Sequence, residues 1–332
     1  MASYGIPYMG SKQGIADEIV KIFPGRTNFY DLFGGGFSIS HAMLIKRSKS
    51  FQRIHYNEIK KDVVHLVQKA INGDYNYDVF KPEFITREMF FDLKDQDAYV
   101  RLIWAFANNQ KTYLFGKEIE PYKKSMHNAI IFNEFDDLAR QVIGSDKFNG
   151  NTSRTNRRLF LRNRIDYYRQ TGMPDFLQQI EQMESLKQLQ QLEQLERLQQ
   201  MESLKNLQRI VHLERIEQLQ ELEIIKGTPS LCFTAKSYED VIIEDDSIVY
   251  CDIPYLETAD YDNEFDHVKF FDWAHSSPHP VFISEYNIAD SRFKLVKQIS
   301  KLVRMNNSGD TKKAALEKIY VNKAGYKALL NP

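Results

Sequence analysis

At 332 residues the chain can hold one large domain with an insertion or two modest domains, and its 18 Tyr and 22 Phe supply ample core. Cys232 and Cys251 form no CxxC pair, which argues against a disulfide scaffold or a metal site and fits a reducing cytoplasm. No stretch approaches a membrane span and no leader-like segment opens the chain, so the expectation is a soluble cytoplasmic protein, although a net charge of −1 identifies no partner.

In chain order, residues 11–22 carry helical spacing (Ile15, Ala16, Ile19, Val20) that Pro24-Gly25 closes. Residues 28–33 read as a strand, 37–46 as a helix, 53–56 as a second strand, and the stretch from Glu58 as a third helix. Strands alternating with helices predict a mainly parallel sheet. Residues 100–106 read as a helix leading into Asn108-Asn109-Gln110. The α/β rhythm fades after about residue 126 and resumes at Ser247, with further strands at 281–284 and 318–321.

Between these halves lies a repeat. Apolar residues fall at every third position from Leu177 to Ile225, separated mostly by Gln, Glu, Lys, Arg and Ser. Propensity says helix. The period disagrees, because a step of three leaves the apolar stripe slipping roughly 60° at a time around an α-helix. Supercoiling cannot absorb a period of about 3.0, and 3₁₀-helices are poor beyond a few residues. We place a triangular β-solenoid first for this insert and an α-helical hairpin second, with the repeat as a candidate surface for self-association.

Two motifs carry the chemistry. Tyr30-Asp31-Leu32-Phe33-Gly34-Gly35-Gly36 reads as a strand turning through glycines into a helix, where backbone can approach a ligand closely. Glu58 lies 22 residues after Gly36, at the end of the next strand, where a carboxylate can accept both hydroxyls of a ribose or cap its own helix. The pattern is not GxGxxG, which turns the reading from a nicotinamide cofactor toward S-adenosylmethionine. Asp252-Ile253-Pro254-Tyr255 ends a second strand. Its carboxylate and the residue 253 carbonyl can accept the hydrogens of a ring amine, favouring a tetrahedral nitrogen and stabilising the charge that develops on methyl transfer. Pro254 stiffens the turn, and Tyr255 offers a face for an extruded base.

With Tyr8-Met9-Gly10-Ser11-Lys12 upstream, the chain resembles the Dam-like DNA adenine methyltransferases over roughly residues 4–125 and 230–330. The resemblance implies a Rossmann-like catalytic domain from residues 1–125 and 230–332, a target-recognition region at 126–175 and the triplet-repeat insert at 176–226. It implies S-adenosylmethionine as cofactor, held by Tyr8, Lys12, Asp31, Phe33, Gly34, Gly36, Glu58 and Asp252, with no metal. In that family Tyr8 and Lys12 would close over the methionine end of the cofactor. The family pattern is Asp-Pro-Pro-Tyr, so Ile253 keeps the carbonyl and loses the fixed φ.

The expected partner is double-stranded DNA. Arg154, Arg157, Arg158, Arg162 and Arg164, interleaved with amides and tyrosines, offer phosphate and base-edge contacts, and Asn109, Lys123 and Lys124 add to them. The expected reaction is methyl transfer to the exocyclic amino group of adenine by base flipping, in the manner of restriction-modification enzymes. The rival readings are a cytosine amino-group methyltransferase and a non-catalytic DNA-binding scaffold.

Overall fold

The computed structural model describes residues 4–149, 152–171, 210–228, 230–255, 265–302 and 314–331. Among these, two compact units are seen: the first holds residues 4–73 and everything from Gln218 onward, the second Asp74–Glu217.

The first unit is built on seven strands: β1 (Asn28–Asp31), β2 (Arg53–Asn57), β3 (Leu231–Thr234), β4 (Ser247–Asp252), β5 (Val281–Glu285), β6 (Lys294–Leu302) and β7 (Ala314–Val321). They lie in the order β3-β2-β1-β4-β5-β7-β6. The first five are mutually parallel, and β7 runs antiparallel to both its neighbours. This is the mixed α/β, mostly parallel sheet that the strand–helix alternation predicts. Every residue of β1 and β5 is buried, as expected for strands covered on both faces. β1 and β4 are neighbours although far apart in sequence, and strand order reverses between them. The carboxyl ends of two such strands frame the crevice where open α/β sheets hold ligands.

In chain order the helices are α1 (Ala16–Ile19), α2 (Ser38–Lys46), α3 (Lys61–Asn72), α4 (Arg87–Leu93), α5 (Ala98–Ile103), α6 (Glu120–Phe132), α7 (Asp137–Ile143), α8 (Arg154–Thr171), α9 (Val211–Gln220), α10 (His267–Ser276) and α11 (Lys323–Leu330). None is long and apolar enough to cross a membrane. The helix expected over 11–22 is a single turn, and the one expected over 100–106 is α5, which stops at Ile103. β3, which reads Leu-Cys-Phe-Thr, and β6, which carries Leu295, Val296 and Ile299, are strands beyond those expected from the sequence.

The unit boundary at Gly73 falls well before the residue-125 boundary expected from sequence. Residues 74–125 are tied instead to one another and to α6. Arg87 N–H donates to the Glu120 carboxylate, Tyr113 OH donates to the Ile85 carbonyl, and the Phe84 ring packs edge-on against Trp104 and His127.

The end of the triplet repeat corrects the solenoid expectation where it can be seen. Residues 211–220 are α-helical and residues 221–225 form a 3₁₀ turn, while residues 176–209 lie outside the described residues. Ile210, Leu213, Ile216, Leu219, Leu222 and Ile225 are all buried. A three-residue step sweeps around an α-helix, so α9 must be covered over a broad arc, and His212 and Arg215 are buried along with the aliphatic residues. The chain then tightens into 3₁₀ geometry, where a period of three is native.

Candidate active site

The site is assembled at the carboxyl ends of β1, β2, β4 and β5. After Asp31 the chain turns through the glycines into α2. A Cβ on Gly34 would lie 2.3 Å from the Tyr56 ring, and one on Gly36 would lie 2.5 Å from Tyr8 Cβ. Both positions therefore require the absence of a side chain. Ile6 N–H donates to the Gly36 carbonyl at 2.8 Å, which docks the N-terminal segment on the glycine loop and brings Tyr8 against it.

Asp31 accepts from the Ser40 amide (3.2 Å) and hydroxyl (2.8 Å), tying β1 to the first turn of α2. Burial pushes its carboxyl up to about 7, against the two Ser40 hydrogen bonds and with the Asp252 charge adding to the rise. Glu58 is also buried. One oxygen accepts Gly35 N–H at 3.0 Å and the other Lys60 N–H at 3.1 Å, so it stitches the glycine loop to the start of α3. Burial raises its carboxyl, and the two amides oppose that. The helix-capping role weighed from sequence is thus real, and each oxygen keeps a second lone pair for a ligand hydroxyl.

Phe33 stands in an aromatic box with Tyr238 (5.5 Å between centroids), Phe265 and Phe270 (5.7 Å each). Such a wall suits a flat ring. Ile253 belongs to the same cluster and is 2% exposed. Beside the carbonyl that the sequence points to, the Ile253 side chain thus anchors the turn in the core. His267 Nε2 lies 2.7 Å from the Pro254 carbonyl and fixes the turn from the other side.

Beyond this turn is a buried ionic network. Lys12 Nζ lies 2.8 Å from Asp252 Oδ1, 3.7 Å from Glu317 Oε2 and 4.6 Å from the centroid of the Tyr255 ring. Tyr255 OH bonds to Glu317 and lies 3.3 Å from Asp252 Oδ1, and Ser284 OH donates to Glu317 at 2.6 Å. Burial alone would lower the Lys12 pKa, but Asp252 and Glu317 together raise it, so the lysine stays cationic. Burial raises Asp252, Lys12 opposes the rise and Glu317 adds to it. The structure therefore brings Tyr8, Lys12, Gly34, Gly36, Glu58 and Asp252–Tyr255 to one sheet edge. Among the described residues no cluster of His, Cys, Asp and Glu is arranged to hold a metal ion.

Residues 8–279 match the family model of the D12 class N6 adenine-specific DNA methyltransferases. The chain belongs to this family. It is an adenine-specific DNA methyltransferase, and the family's specificity is for adenine rather than cytosine. A search among curated proteins finds no match.

In this methyltransferase the arginines expected to meet DNA divide by their place on α8. Arg154 donates to the Tyr77 carbonyl at 2.8 Å, Arg157 to the Ile130 carbonyl at 3.0 Å, and Arg158 pairs with Glu214 and Glu217. They share a stripe with the fully buried Leu161 and Ile165 at helical spacing, and so face the interior of the helical unit. Lys123 is buried as well, and Arg164 bonds the Tyr168 hydroxyl at 3.1 Å. Arg162 and Lys124 are exposed. Asn109 uses its side chain to close its own turn, through Thr112 and the amides of Lys111 and Thr112.

That turn is strained. Ala107, Asn108 and Gln110 have φ of 47°, 61° and 62°, none is glycine, and Phe106 beside them is 43% exposed. Backbone held this way clusters at ligand-binding sites.

Sequence reasoning missed Glu317, Tyr238 and the role of Ser284. A signal for Glu317 did exist. It alternates with Ile319 and Val321 along a strand, so period two places an acid on the buried face.

Proposed function

We propose that the enzyme transfers the methyl group of S-adenosylmethionine to the N6 amine of an adenine flipped out of the duplex, with Asp252 as the side chain that acts on the amine. The observation that carries this reading is the Asp252–Tyr255 turn, at the switch point beside the glycine loop, with Asp252 Oδ1 2.8 Å from Lys12 Nζ. The residues present fit the cofactor. Glu58 offers buried acceptors for ribose hydroxyls, the box of Phe33 and Tyr238 would suit its adenine, and Tyr8 with Lys12 would close over its methionine end, as in the family it belongs to.

When bound, S-adenosylmethionine supplies an electrophilic methyl on a sulfonium. Asp252 and the Ile253 carbonyl accept the two amine hydrogens, so the nitrogen lone pair is withdrawn from the ring and aimed outward. With the cofactor bound, Asp252 would stabilise the positive charge that develops on the amine nitrogen, whose extra proton would then leave to water. Tyr255 supplies an aromatic surface for the extruded base. DNA contact is carried by Arg162, Lys124 and the strained turn at 106–110 of the helical unit.

The test is methylation of a random-sequence duplex pool, with modified adenines read by sequencing and Asp252→Ala in parallel. N6-methyladenine confined to a short motif supports the reading. A wild-type rate in Asp252→Ala would remove Asp252 from the chemistry. Base flipping is read separately, as a rise in 2-aminopurine fluorescence when that analogue replaces the target adenine.

A further inference from the structure

Glu317 is buried in β7, the described strand that runs against the rest of the sheet. Alternation puts it on the face of Ile319 and Val321. The register carries that strand to the catalytic edge: Asp252 on β4 pairs with Ser284 on β5, and Ser284 pairs with Ile319 on β7. From there Glu317 Oε1 accepts the hydroxyls of both Ser284 and Tyr255, and Oε2 faces Lys12.

The Tyr255 hydroxyl therefore stands between two carboxylates, Glu317 and Asp252. It has one hydrogen, so it serves one acid at a time. Burial and the neighbouring acids raise the phenol well above its ordinary range, so that hydrogen stays on the oxygen. Given to Asp252, it would drain the acceptor on which methyl transfer depends. Given to Glu317, it leaves Asp252 with Lys12 as its close partner, on Oδ1, and among the described residues Oδ2 has no hydrogen-bond partner.

We propose that Glu317 is a positioning residue for methyl transfer: it takes the Tyr255 and Ser284 hydroxyl hydrogens and so keeps Asp252 open to the target amine. The proposal rests on the proposed role of Asp252 as the side chain that acts on that amine. It asks nothing of Glu317 by way of contact with cofactor or DNA.

The experiment uses the full chain and compares Glu317→Met, Glu317→Gln, Tyr255→Phe and Glu317→Met/Tyr255→Phe. Steady-state methylation gives kcat and KM, and calorimetry gives S-adenosylmethionine affinity. Glu317→Met removes the acceptor, and kcat should fall about 10- to 100-fold, the size of a misplaced catalytic group. KM for DNA and cofactor affinity should hold. Glu317→Gln keeps a carbonyl oxygen for both hydroxyls and should stay within about threefold of the wild-type kcat, under one decade and so under about 1.4 kcal/mol of barrier. The double variant, which has no phenolic hydrogen to misdirect, should turn over faster than Glu317→Met.

A structural Glu317 makes different predictions: Glu317→Gln as slow as Glu317→Met, or a double variant no faster than Glu317→Met. Either result overturns the proposal. If Glu317→Met fails to fold, Glu317→Asp with and without Tyr255→Phe makes the same comparison, because the shorter acid keeps the charge but draws back from the phenol. Loss of activity in Asp252→Ala with a wild-type kcat in Glu317→Met sinks the positioning role alone. A wild-type rate in Asp252→Ala sinks the reading beneath it.

Discussion

At the sheet edge one buried lysine faces two carboxylates, whereas in the helical unit the buried cations Arg157 and Arg215 give their guanidinium hydrogens to main-chain carbonyls. The first arrangement gathers two acids and a lysine around a partly exposed acceptor, since the Asp252 side chain is 20% exposed. Such charge is useful only if something arrives to use it. The second arrangement answers a local need. Arg215 reaches the carbonyls of Leu102, Ile103 and Ala105, the orphan acceptors where α5 ends and the strained turn begins. Burial of polar groups is therefore no guide to chemistry by itself, and the partner decides.

The sharpest way to break this comparison is at Asp252. Asp252→Ala should lower kcat by about 10²–10³ or more, the cost of losing one preorganised catalytic contact. The unfolding midpoint should fall as well, because buried Lys12 loses its partner at 2.8 Å and keeps Glu317 at 3.7 Å. Turnover measured at a temperature where the variant is folded separates the two effects, and a wild-type kcat there would leave Asp252 only the ion pair with Lys12.

Arg215 should show the loss of stability alone. Arg215→Met leaves buried carbonyls unpaired, at about 1–3 kcal/mol for a buried group left without its partner, so a loss of about 3 kcal/mol in denaturant unfolding is expected. S-adenosylmethionine affinity, measured by calorimetry at a temperature where the variant is folded, should be unchanged. A stable variant would show that the carbonyls find other donors.

The helical unit also carries an acid-sensitive pair. His127 and His212 share a ring-nitrogen contact of 2.8 Å, and His127 Nε2 lies 2.9 Å from the Pro82 carbonyl. Burial pushes His127 down to about 4 and His212 well below its ordinary value. The unfolded chain therefore takes up protons near pH 6.5 that the folded chain refuses until about pH 4. Stability from this pair is complete above pH 6.5 and declines as pH falls from 6.5 toward 4. Asp31, raised to about 7, acts with the opposite sign, losing stability as pH rises between its ordinary range and 7. His127→Gln separates the two, because urea unfolding between pH 7 and 4.5 should show a shallower acid decline than wild type. An identical slope would mean that the pair titrates normally in the folded protein.

Legibility in the sequence depended on whether a residue's role is local. The glycine loop, Glu58 and the Asp252 turn could be read because each couples a strand end to the helix or turn within a few residues of it. The Lys12–Asp252–Glu317 network could not be assembled, since it needs the order β4-β5-β7 and a strand that reverses. β3 is apolar (Leu231-Cys232-Phe233-Thr234), and a run of only four residues does not by itself separate a strand from other buried chain. The solenoid expectation came from trusting the period over the propensity. For residues 211–225 propensity was the better guide, because a helix covered over a broad arc tolerates a drifting stripe. The arginines of α8 were read as one cluster when helical spacing already put Arg154, Arg157 and Arg158 on the stripe of Leu161 and Ile165.

The smallest expected effect lies between the two kinds of arginine on α8. Arg162 is exposed there, whereas Arg157 is buried and bonded to the Ile130 carbonyl with its guanidinium over the Phe148 ring. If Arg162 meets a phosphate, Arg162→Ala should weaken DNA binding modestly and reduce the slope of log affinity against log salt by about 0.9, the counterion released at one contact. Its unfolding free energy should move by no more than about 0.5 kcal/mol, as for an ordinary surface change. Arg157→Ala should leave the salt slope alone and destabilise the helical unit, because a buried carbonyl and an aromatic face lose their cation together. Fluorescence anisotropy titrations of a labelled duplex at three salt concentrations, beside urea unfolding of each variant, distinguish the two. Equal slopes for wild type and Arg162→Ala would move the phosphate contact off α8, to Lys124 or the strained turn at 106–110, and a changed slope in Arg157→Ala would show that the buried face opens to receive DNA.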